Sequence, residues 1–170
     1  MKPNSVGRVD GSDPLSHPVS LPRPKAGFVA GTVLYTREGE APVEFLSPGD
    51  RLITRDAGMV RLTRIHHRRV VSRAISFAAG SLGHNRPEQD LILPAAQLVL
   101  IRDWRAQAMF GVDQALVRAE ALVDDEFIRD LGVQKMHLHQ LEFDAPHVIY
   151  VGGVELSCMS EGAQNLNLAA

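Results

Sequence analysis

From Gly27 onward the chain is written in short runs of Val, Leu, Ile, Thr and Phe, broken about every eight to twelve residues by Gly, Pro or Asp. That is the rhythm of strands and turns. Val29 to Thr36 reads as a first strand, with Arg37 to Glu40 as its turn, because Gly39 can take the positive φ that a tight turn requires. Pro42 to Leu46 follows as an extended segment, and Ser47-Pro48-Gly49-Asp50 as a second turn. Arg51 to Arg55 then reads as a strand, and Asp56-Ala57-Gly58 as the loop of a hairpin into Val60 to Val71, where Val60, Leu62 and Arg64 share a face. Further strands are expected at 74–78, 91–93, 98–102, 116–118, 134–143 and 147–151, with Gly152-Gly153 turning the chain after the last. Residues 119–123 and 126–131 read as single helical turns, too short to be stable helices alone. The pattern predicts an all-β fold with short helical turns.

The residues before Gly27 have a different texture. Five of the ten prolines fall there among few large apolar side chains, a composition that cannot offset the entropy of ordering the chain. Residues 1–25 are therefore expected to be a disordered arm, 26–160 one β-domain and 161–170 a tail. A length of 170 residues and 45% hydrophobic content suit one core. The arm holds no continuous apolar run, so neither a leader nor a membrane anchor is expected, and a cytoplasmic location follows, with signal-independent export still compatible. A formal charge of −2 supplies no global field for nucleic acid or an acidic membrane, so neither is an expected partner. The lone Cys158 leaves no intramolecular disulfide and no Cys-rich zinc site.

Several segments in order carry a family likeness. Gly27-Phe28-Val29-Ala30-Gly31-Thr32, then Thr36-Arg37-Glu38-Gly39, Pro42-Val43-Glu44 and Pro48-Gly49-Asp50-Arg51 are similar to the opening of bacterial Hint (hedgehog/intein) domains. Gly80-Ser81-Leu82-Gly83, Asp90 to Ile101, and Phe143-Asp144 running to Val148-Ile149 and Gly153 fall in the order that family places them. The resemblance covers roughly Gly27 to Met159. It implies a horseshoe-like β-fold in which distant segments converge on the start of the domain. It also implies self-cleavage before the first residue: a Cys, Ser or Thr attacks the preceding carbonyl, and a His from a later strand serves the scissile amide.

This chain departs from that pattern at its chemical positions. The nucleophile position, five before Thr32, holds Gly27, which has no side chain to attack with. The first family histidine falls on Gln97, which can hydrogen-bond but cannot exchange protons near neutral pH. A second falls on Gln140, four before Asp144, and a third on Pro146. The C-terminus lacks the His-Asn pair that inteins use for release. The resemblance therefore implies a vestigial cleft of Gly27, Thr32, Gln97, Gln140 and Asp144, with no catalytic residue expected. Strand alternation places Gln140 toward that cleft and His139 away from it.

Three other groups invite chemistry. His137 and His139 share a strand face, and His147 on a following strand could join them in a zinc or copper site; a solvated face is the preferred reading, and neither metal nor cofactor is expected. Arg61, Arg64, His66, His67, Arg68, Arg69 and Arg73 form the densest positive segment, but without interleaved aromatics it reads as a solvated hairpin. Cys158 reads as a small buried hydrophobe, and Trp104 as a residue of an exposed loop. The leading expectation is a non-catalytic module that binds or scaffolds a protein partner. Its rivals are self-processing through Thr32 or Cys158, and His-based metal binding.

Overall fold

A computed structural model describes residues 26–158. The arm and tail expected from the sequence lie outside these residues. In chain order the strands are β1 (Phe28–Val29), β2 (Val33–Thr36), β3 (Gly39–Pro42), β4 (Arg51–Thr54), β5 (Gly58–Arg61), β6 (Arg64–Phe77), β7 (Leu91–Pro94), β8 (Leu98–Ile101), β9 (Ala115–Arg118), β10 (Ile128–Glu142), β11 (His147–Val151) and β12 (Val154–Cys158). A helix α1 (Trp104–Phe110) and two 3-10 turns at Val43–Phe45 and Ala119–Leu122 complete the described elements. The fold is all-β, and no helix among the described residues is long and apolar enough to cross a membrane.

The strands make two sheets. One, the ribbon sheet, has the order β1-β10-β6-β7 and is dominated by the antiparallel pair β6 and β10, which runs from Ile128 opposite Phe77 to Glu142 opposite Arg64. The other, the broad sheet, has the order β3-β2-β4-β11-β12-β8-β9, with β5 paired to β4. Its β12 lies between β11 and β8 and is buried at every residue. That burial explains Leu156 in the core and also brings in Glu155, whose carboxylate is satisfied by Arg102 through two 2.8 Å bonds and by Arg55 at 2.9 Å. The main core is built from Phe28, Leu34, Phe77, Ile128, Ile149, Leu156 and their neighbours, and a smaller one of Ala74, Met136 and Leu138 sits on the ribbon sheet.

Several sequence expectations are corrected. The first strand is two, because Gly31 turns at φ +84° and the Thr32 N–H and hydroxyl both donate to the Val29 carbonyl, at 3.2 and 2.6 Å. The Pro42 to Leu46 segment is a strand end followed by a 3-10 turn whose Glu44 carboxylate accepts the Gly31 N–H at 2.7 Å. The segments expected at 60–71 and 74–78 are re-divided: Leu62 and Thr63 interrupt the first, while nothing in Ser72-Arg73 can turn the chain, so β6 continues to Phe77. The helical turn expected at 126–131 is a bend at Glu126 and Phe127 that runs into β10 at Ile128. Asp124 there takes the N–H groups of Glu126, Phe127 and Ile128 with one carboxylate oxygen, closing a loop instead of a helix. Trp104 is exposed but opens α1, which Asp103 caps through the Arg105 N–H and Gly111 ends at φ +68°.

Candidate functional site

The two sheets meet around one peptide bond, Ala26–Gly27. Strand β1 pairs with β10, Phe28 opposite His139 and Val29 opposite Leu138, so the residue before Phe28 comes alongside Gln140. Gln97 arrives from the tight turn between β7 and β8, where its own N–H donates to the Pro94 carbonyl at 2.9 Å. It is 1% exposed. Its Oε1 accepts the Gly27 N–H at 3.0 Å, while its Nε2 donates to the carbonyls of Ser157 (2.9 Å) and Leu98 (3.2 Å). Two carbonyls and one N–H leave the side-chain amide a single orientation that satisfies all three. On the other side, Gln140 Nε2 donates to the Ala26 carbonyl at 2.6 Å. One peptide unit is thus held at both its polar ends by two side-chain amides.

The backbone at this point favours glycine. Gly27 sits at φ +142°, and a Cβ built on it would lie 3.0 Å from the His139 carbonyl oxygen, 3.1 Å from Gln140 Cγ and 3.2 Å from Leu138 Cβ. A side chain here would sit at a strained φ and would need its β10 neighbours to give by about a few tenths of an ångström. The hydrogen bonds can orient and polarise the carbonyl, but neither amide can deliver a proton to a departing nitrogen.

The remaining sequence candidates are placed otherwise. Thr32 is buried with its hydroxyl spent on the Val29 carbonyl, and Asp144 is largely exposed, 3.7 Å from His147 Nε2; among the described residues neither hydrogen-bonds the Ala26–Gly27 unit. His139 lies on the face of β10 opposite to Gln140, its ring edge-on to His67 with centroids 4.7 Å apart and its Nδ1 buried without a hydrogen-bond partner among the described residues. Burial, aided by His67 and His137 and opposed by Glu44, holds its pKa below the usual histidine value. His137 shares that face, whereas His147 belongs to the broad sheet and gives Nδ1 to Asp56 at 2.8 Å. Burial works to raise the Asp56 carboxyl, yet the Val148 N–H and His147 keep it below the usual range. Among the described residues no three His, Cys, Asp or Glu side chains are gathered so as to hold a metal ion. Cys158 is buried directly opposite His147, and burial, with the Asp56 carboxylate, pushes its thiol far up.

One pair near the site has no sequence signal. His66 stands directly across from Gln140 on the same face of the ribbon, with Nε2 2.7 Å from Glu142 Oε2, a partner 76 residues away. The positive run around it is partly neutralised: Arg73 is held by Asp130 and Glu120.

Among solved structures, the chain is similar to a bacterial intein-like domain from Clostridium thermocellum, at 17% identity and a TM-score of 0.53, over 79% of this chain and 98% of that one. The crystal structure of the gp41-1 intein matches at 9% identity and a TM-score of 0.46, over 77% of this chain and 97% of that one. No curated protein matches. The family model of the Hint domain spans residues 26–163, and the chain belongs to that family.

Proposed function

We propose that this chain is a Hint module that grips a peptide bond without cutting it, and that it serves as a binding or scaffolding domain for a protein partner. The observation that carries the reading is the clamp itself: Gln97 on the Gly27 N–H and Gln140 on the Ala26 carbonyl. At the place where relatives of this fold would carry an attacking side chain stands a glycine at positive φ, where a Cβ would meet the His139 carbonyl of β10 at 3.0 Å. A self-processing site needs a nucleophile, a base and a proton for the leaving nitrogen. Here the clamp offers three groups without a useful proton: a glycine and two amides. The nucleophiles named from sequence do not fill the gap, since the Thr32 hydroxyl is engaged in its own turn and the Cys158 thiol is buried and protonated. What the clamp can do is fix the direction in which the preceding segment leaves the domain, so that a partner meets both in one arrangement.

The test is the intact mass of the purified full chain over several days, with and without hydroxylamine or dithiothreitol. An unchanged mass is expected. Loss of the segment ending at Ala26 would replace this reading with self-processing.

A further inference from the structure

The middle of the β6–β10 ribbon is a cationic surface in a chain of net negative charge. From His67 to Ser72 on β6, and from Val133 to His139 on β10, there is no carboxylate. Arg69 lies opposite His137, Val71 opposite Lys135 and Arg73 opposite Val133, so these side chains share one face. Arg73 is already matched by Asp130 and Glu120, which leaves Arg69 and Lys135 as the permanent charges of the patch. Next to Lys135, Val71 across the ribbon is 52% exposed and Val133, two residues along β10, is 68% exposed. Exposed apolar side chains flanked by Arg69 and Lys135 make a small docking surface for something acidic with an apolar tip.

The same chain carries such a tip. Asp124-Asp125-Glu126-Phe127 leads into β10 as an exposed turn, held outward by the three N–H groups that Asp124 accepts, with Phe127 54% exposed. Phe127 and Lys135 are about 25 Å apart along the strand, so the turn cannot reach the patch of its own molecule. We propose that it docks on the patch of a second copy, Asp125 and Glu126 against Arg69 and Lys135, and Phe127 against Val71 and Val133. The contact is head-to-tail: each copy offers one turn and one patch, and association is open-ended. Its small area and surface charges make it weak and sensitive to salt.

Sedimentation velocity on the full chain tests this. In about 0.01 M salt the average mass should rise with concentration, and in about 1 M salt, where the screening length falls from about 30 to about 3 Å, the chain should be monomeric. Arg69→Gln with Lys135→Gln, and separately Asp125→Asn with Glu126→Gln, should each weaken association about tenfold or more. Mixing the two variants leaves one intact turn and one intact patch, and should give a one-to-one dimer with nothing larger. A wild-type chain that stays monomeric in low salt, or that associates regardless of both pairs of changes, would overturn the proposal. So would a monomeric chain that binds vesicles of anionic phospholipid through Arg69 and Lys135, because the patch would then serve a lipid surface.

Discussion

The two sheets follow opposite rules. The ribbon sheet rests on strands of 14 and 15 residues whose middle is open to solvent on at least one face, whereas the broad sheet uses strands of four or five residues and buries β12 completely. Length in the ribbon brings reach and surface; position in the broad sheet brings burial. The clamp lies at their seam. Gln97 takes the N–H of Gly27 at the edge of the ribbon sheet with one end of its amide and the carbonyl of Ser157 in the broad sheet with the other. A single buried side chain therefore couples the stable half of the molecule to the half that presents its surfaces.

The largest expected effect breaks the comparison where it is sharpest. Leu156→Ala, in the fully buried β12, should cost about 2–5 kcal/mol, the usual loss when a core leucine leaves a cavity. Val133→Ala, on the exposed ribbon, should stay within about 0.5 kcal/mol. Urea unfolding of both variants gives the two numbers directly. Similar losses would mean that the ribbon contributes to the core as much as the broad sheet does.

Changes at the seam come next. Gln97→Leu leaves the Gly27 N–H and the Ser157 carbonyl without their partner in a buried place, and should cost about 1–3 kcal/mol. Gly27→Ala forces a side chain onto a positive φ against the His139 carbonyl, and should cost about 1–3 kcal/mol as well. Because both loosen the same peptide unit, the double variant should lose less than the sum, which a double-mutant cycle measures. Full additivity would mean that the two residues do not act as one clamp. The chemical counterpart is that Gly27→Cys alone stays uncut in hydroxylamine, for want of a proton at the leaving nitrogen. Adding Gln97→His puts an imidazole where the Gly27 N–H now bonds, and cleavage at Ala26 is expected only then, read by mass.

Local pattern made most strands legible, because Gly, Pro and Asp punctuate them and apolar residues alternate. It failed where a side chain rather than a backbone preference decides. Asp124 draws three N–H groups into a loop where propensity suggested a helical turn, and Asp103 caps a seven-residue helix too short to show a periodicity. At the site, Gln97 and Gln140 have no local signature. Their partners lie 70 and 114 residues away, and only the family resemblance directed attention to them. The His66–Glu142 pair shows the limit of both routes: no motif contains it, and only the strand register brings it together.

The smallest expected effect concerns the other face of β10. His139 titrates below the ordinary histidine value, first because it is partly buried and then because the neighbouring His67 and His137 disfavour its charged form; Glu44 pulls the other way without prevailing. In the unfolded chain the same imidazole takes a proton near pH 6.5. Above that pH it is neutral in both states and adds no dependence on pH. As pH falls through about 6.5 the unfolded chain binds the proton first, so stability is lost, and the loss levels off only below the folded value. The buried Nδ1, without a partner among the described residues, adds a third reason for the folded state to refuse the proton. His139→Phe keeps an aromatic ring against His67 and removes the titration, so its stability between pH 8 and 5 should fall less than that of the unchanged protein. That window lies above the range in which Asp56, Asp124 and Asp130 titrate, since all three are held below the usual carboxylate value. Parallel urea midpoints for the two proteins across the window would show that His139 contributes nothing to the acid response.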